Sequence, residues 1–133
     1  MSKYIKDISG ETPDIETYLY VKDYISKYQL NIDINSKPLK AQIIEINTLL
    51  KFHDNSESKK KSLFEITYST VIKLDKEVKD KNVLQKIVLC DVPKKVYPEM
   101  EKALLNLLHT SGYPEIKFEK KVDFEELYKK NFN

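Results

Sequence analysis

Two strictly alternating runs constrain this chain more than anything else in it. Leu30, Ile32 and Ile34 alternate with Asn31, Asp33 and Asn35, and Phe64, Ile66, Tyr68, Thr70, Ile72 and Leu74 alternate with Leu63, Glu65, Thr67, Ser69 and Lys73. A period of two sends successive side chains to opposite sides of an extended backbone, so each run is a strand with one buried and one wet face. Between them Ile44, Ile46, Thr48, Leu50 and Phe52 mark one face of a third strand, set off by Lys37-Pro38 before it and the polar turn His53 to Lys61 after it. Strands that follow one another through such turns pair antiparallel. Residues 4 to 12 offer a further short strand, with Ile8 and Gly10 pointing one way and Asp7, Ser9 and Glu11 the other, until Pro13 interrupts it.

The remaining segments follow other patterns. Residues 14 to 27 carry Tyr18, Tyr20 and Tyr24 with neither clean period, and read as a crossing connection with room for a helical turn. Asp75 to Asn82 reads as a charged loop, and Val83 to Cys90 is a short apolar segment of open type. Pro98 suits the first position of a helix whose apolar residues Met100, Ala103, Leu104, Leu107 and Leu108 recur at helical spacing, with Gly112 as its stop. Leu105 lies off that stripe, and its spacing fits a partly exposed leucine and a subunit contact equally well. Pro114 opens an extended piece, with Ile116 and Phe118 on one side, that leads to a last helix. Asp123 can cap that helix, Glu126 can reach back, and Val122 can staple against Leu127. Strands first and helices last predict an α+β fold: a four-stranded antiparallel sheet with two C-terminal helices on one face. At 133 residues the whole chain, 1–133, is expected to form one domain.

Several function classes are excluded by the same residues. Lysine plus arginine number 23 against 21 acidic residues, scattered along the chain, which argues against a nucleic-acid binder. Two glycines leave no room for a phosphate loop, so no nucleotide or other cofactor is expected. Cys90 is the single cysteine, and His53 and His109 have no partners at triad or metal-ligand spacing, so neither a metal site nor an enzyme is expected. No stretch approaches the ~20 apolar residues of a membrane span, and no secretory leader is visible at the start, which predicts a cytoplasmic protein without membrane insertion.

Three stretches together resemble the SecB family of protein-export chaperones. Lys3 to Pro13, KYIKDISGETP, is similar to the family's first strand; SLFEIT at Ser62 to Thr67 is similar to its fourth; and PKKVYPEMEKALLNLLHTSGYPEIKFEKKVDFEELYKKN, Pro93 to Asn131, is similar to its two helices and the Gly-aromatic-Pro between them. The resemblance implies a homotetramer built as a dimer of dimers, with Leu105 and Leu108 at the contact between long helices. It implies an ATP-independent holdase that captures unfolded or slowly folding polypeptides in long apolar grooves open at the surface. Carried over position by position, the groove is lined by Leu30, Ile32, Ile34, Phe64, Ile66, Phe124, Leu127 and Tyr128, with Tyr18, Tyr20 and Tyr24 at its rim. It further implies delivery to the SecA translocase motor through Asp7, Glu11, Leu63 and Glu65 on the solvent face of the sheet. The chain departs from the family in its near-neutral charge, with a pI near 8.4, in Gly10 where a bulky apolar residue is usual, and in lacking a matched flexible tail after the last helix. Rival readings are a SecB-like chaperone dedicated to one partner such as an antitoxin, and a module binding a small apolar ligand.

Overall fold

The computed structural model describes residues 2–54, 61–74, 80–113, 116, 118 and 122–132. The alternating runs are strands: β1 (Ser2–Glu11), β2 (Gln29–Pro38), β3 (Ile43–His53) and β4 (Leu63–Lys73) form one antiparallel sheet in the order β1-β4-β3-β2. Register brings like with like. Leu50 faces Ile66 and Phe52 faces Phe64 across β3 and β4, while Leu30 faces Phe52 and Ile32 faces Leu50 across β2 and β3. Such cross-strand apolar pairs on one face are what a helix layer can cover.

One break in the alternation matters. Ile5 faces Tyr68 but Asp7 faces Thr67, so Lys6 is an extra residue, a bulge. The bulge switches parity, which lets Ile5 and Ile8 share the helix-covered side while Asp7 turns to the open side. Lys6 lays its ammonium against Glu45 at 2.9 Å on that open side.

The connection from β1 to β2 is a full helix, α1 (Ile15–Tyr24), where the sequence offered only a helical turn. Asp14 caps it by accepting from the Thr17 N–H at 2.7 Å, and Thr17 and Val21 face the core. Ile15, Leu19, Tyr20 and Tyr24 remain exposed, and these apolar residues on the wet side blur the helical period. A second departure concerns Pro98. The long helix α3 (Val92–Thr110) places Pro93 in its first turn and carries Pro98 in its interior. It continues directly from α2 (Lys81–Lys86) through a π-helical segment, Ile87–Asp91, so the open-type apolar segment is helical throughout. The expected loop lies in part, at 75–79, outside the described residues.

Met100, Leu104 and Leu108 of α3 press on the sheet and are fully buried, together with Val96. Gly112 ends the helix at φ +103, and a Cβ there would meet the Tyr18 ring at 2.9 Å. Gly10 sits in tight space: an added Cβ would stand 3.0 Å from Phe64 and 3.3 Å from Leu107, so these side chains would have to give way. The last helix, α4 (Phe124–Phe132), starts where its cap was read, with the Glu126 N–H donating to Asp123 Oδ1 at 3.1 Å. Val122 packs on the core but Leu127 is 40 % exposed, so the expected staple gives way to an outward-facing leucine.

Candidate functional site

The expected groove divides into three groups of residues. Phe64, Ile66 and Phe124 are fully or almost fully buried in one core cluster; Phe64 stacks edge-on to Tyr113 at 5.9 Å and Phe124 edge-on to Tyr97 at 5.5 Å. Their place at a groove surface is therefore corrected: the groove is filled along its centre by the chain's own rings, because helix α3 and the 111–113 turn reach down onto β4. Leu30, Ile32, Ile34 and Tyr128 are half-buried against that core, and Leu127, Tyr20 and Tyr24 are exposed. Tyr18 also departs from the expected rim. Its hydroxyl donates to the Gly112 carbonyl at 2.9 Å and its ring lies 5.3 Å from Tyr113, so it ties α1 to the end of α3. Tyr20 and Tyr24 stack on each other at 4.7 Å, with the Lys27 ammonium 5.3 Å from the Tyr24 ring.

An open apolar cleft does exist, at the other end of the sheet. It has a volume of about 320 Å³ and is lined by Ile34, Pro38 and Ile44 from the sheet, by Leu84, Val88 and Leu89 from α2 and the π segment, and by Asn35, Ser36 and Gln85. Of these the sequence reading assigned Ile34 alone to the groove. Leu84 and Val88 stand four residues apart, a spacing that would have marked a helix face had the segment been read as helical. The Tyr128 hydroxyl donates to the Asn82 carbonyl at 3.4 Å, which links α4 to α2. Lys94 and Glu125, 3.5 Å apart, hold α4 against α3.

The open face of the sheet gathers the other expected set. Glu11 faces Leu63, Ser9 faces Glu65 and Asp7 faces Thr67, so Asp7, Glu11, Leu63 and Glu65 lie together on the side away from the helices. Leu63 is 39 % exposed among them. Glu65 is paired with Lys51 at 3.7 Å, while Asp7 and Glu11 have no such partner among the described residues. At the subunit-contact positions, Leu105 is half-buried and available in part. Leu108 is wholly buried in this chain's core, and its expected role in a subunit contact is corrected accordingly.

No convergent acid, base or nucleophile set stands out among these residues. Burial pushes the Cys90 thiol up, away from the thiolate that nucleophilic chemistry needs. Burial, aided by Glu101, pushes the Tyr97 hydroxyl up to about 12, and no hydrogen-bond partner among the described residues meets it. His53 is engaged with the Asn31 amide at 2.8 Å. Among the described residues no helix is long and apolar enough to cross a membrane.

Comparison with known proteins gives the arrangement its relatives. The family model described as SecB, preprotein translocase subunit SecB, matches residues 1–133. A protein of Pelagibacter ubique (strain HTCC1062), provisionally named protein-export protein SecB, is 59% identical over all of this chain and 95% of its own length. The protein-export protein SecB of Methylocella silvestris is 22% identical over all of this chain and 81% of its own length. In fold, the chain is similar to the Mycobacterium tuberculosis SecB-like chaperone solved in complex with a ChAD peptide from the HigA1 antitoxin, with a TM-score of 0.56, 8% identity, and coverage of 91% of this chain and 88% of that one. The order of strands and helices, the full-length family match and a relative identical at more than half of its positions agree: this chain belongs to the SecB family.

Proposed function

We propose that the chain is an ATP-independent holdase: it keeps preproteins unfolded and export-competent in the cytoplasm and delivers them to the SecA translocase. Membership of the SecB family gives it a chaperone role in protein export, and that family's chaperones are not enzymes. The observation that carries the holdase reading is the apolar cleft beside β2, which the side chains of the described residues leave open. Leu30 and Ile32 continue the same face of β2 beyond Ile34, and Leu127, Tyr20 and Tyr24 add exposed apolar surface elsewhere on the chain. Client side chains leave water there, each worth roughly 1.5–3 kcal/mol before ordering costs are subtracted. The four positions of the acidic sheet face, Asp7, Glu11, Leu63 and Glu65, are the proposed contact with the motor, and a homotetramer using Leu105 multiplies weak sites into avidity. The SecB-like chaperone of the same fold that holds an antitoxin peptide supports an extended polypeptide as the occupant rather than a small ligand.

The test combines two measurements on one protein. The full chain suppresses aggregation of a chemically denatured test protein, and the double substitution Asp7→Lys with Glu65→Lys abolishes binding to SecA while suppression survives. Loss of neither activity removes the motor from the proposal, and absence of suppression in the unsubstituted chain removes the holdase.

A further inference from the structure

Resting on the reading that the cleft takes client polypeptide, we infer that the client is held through its backbone as well, by adding a strand to the outer edge of β2. Among the described residues no strand of the sheet lies beyond β2. Which of its main-chain groups face outward follows from the turn. The Leu39 N–H donates to the Ile43 carbonyl at 2.7 Å, and the β2–β3 register extended by one step makes these two residues opposite partners. In an antiparallel ladder hydrogen-bonded pairs recur at every second residue, so Asn31, Asp33, Asn35 and Lys37 direct their main chain at β3. Leu30, Ile32, Ile34 and Ser36 therefore direct their N–H and C=O groups outward. The neighbouring ladder agrees: the Leu74 N–H donates to the Gln42 carbonyl at 2.8 Å, which turns the even residues of β3 to β4 and leaves its odd ones for β2. Pro38 falls in the outward set, the one place in a strand where a missing donor costs no ladder bond.

These outward groups stand beside the cleft. Ile34, Asn35, Ser36 and Pro38 form its strand-side wall, and Asn35 turns its side chain to the opposite face, where its Oδ1 accepts from Asn47, so strand main chain contributes to that wall. A small apolar ligand has no use for a row of alternating donors and acceptors. An extended polypeptide satisfies them and, at the same period, drops every second side chain between β2 and Leu84 and Leu89. Backbone bonds give affinity without regard to sequence, and the cleft asks only for apolar residues at alternate positions.

The test uses the full chain and a short fluorescent peptide alternating leucine with threonine, in three forms: unmodified, N-methylated at the leucine amides, and N-methylated at the threonine amides. Strand addition requires that one alternate set be indispensable. Methylation of that set weakens binding by about tenfold or more, and methylation of the other leaves it within about twofold; loss on the leucine set marks an antiparallel added strand. On the protein, Ser36→Pro removes one outward donor and weakens the unmodified peptide. Equal binding of the two methylated peptides overturns strand addition and leaves the holdase reading standing. Failure of the unmodified peptide to bind overturns both.

Discussion

The helix-covered side of the sheet has two ends, built from the same alternating apolar residues and put to opposite uses. At one end Leu50, Phe52, Phe64 and Ile66 meet Met100, Leu104, Leu108 and Tyr113 and are sealed. At the other, Ile44 and Ile46 meet Val88 and Val92, while Ile34, Ile72, Leu84 and Leu89 stay only partly covered and a cleft remains. The difference lies in the cover, not in the sheet. A long helix sends large side chains down onto β3 and β4 at the first end, whereas a helix of six residues and a π turn roof the second. Burial of a strand face is decided by what arrives from elsewhere in the chain.

Substitutions at the two ends should therefore behave differently. Leu104→Ala empties part of the sealed end and is expected to cost roughly 2–5 kcal/mol in urea unfolding, with peptide capture unchanged in the molecules that remain folded. A cost below about 1 kcal/mol would mean that this end is as loosely packed as the other. At the open end, the β2–β3 turn carries Ala41 and Gln42 at φ 61 and 64, a left-handed backbone that favours asparagine and glycine. Ala41→Asn with Gln42→Gly is expected to raise stability by about 1–2 kcal/mol, and an unchanged midpoint would show that the turn is unstrained.

Leu84→Ser should cost no more than about 1 kcal/mol, because the residue is half-exposed, yet weaken client capture by about tenfold; capture that survives would place the binding surface elsewhere. The smallest effect concerns acid. Glu99 accepts from Lys3 and from the Tyr68 hydroxyl, at 2.6 and 2.8 Å, and these bonds hold its carboxyl below the ordinary carboxylate range. A depressed folded value contributes stability above the ordinary value that is lost as pH falls through the folded one. The loss is thus expected below about pH 4.5, and Glu99→Gln should flatten that limb of the stability curve.

How much of this could be read from the sequence follows the same division. Alternation told the faces of β2 and β4 apart, placed Asp7, Glu11, Leu63 and Glu65 on one side, and marked Asp123 as a cap, because each of these is a local property of spacing. Alternation could not say whether Phe64 and Ile66 line a groove or fill a core, since both uses demand the same residues on the same face. The helix α1 was hidden by its exposed Ile15, Leu19 and Tyr20. The run from α2 to α3 was hidden by Pro98, which read as the first position of a helix although it lies in the interior of α3. The cleft depends on that run, and so it was hidden too.

The extra residue at Lys6 bears on the protein's own solubility. A chain that offers grease to unfolded neighbours works where ordered stacking of strands is most dangerous, and β1 exposes Tyr4, Ile5 and Ile8 along an outer edge. A flat edge of that composition would template fibrils. The kink splits it into two short pieces out of step with each other, which works against the stacking of many copies along that edge.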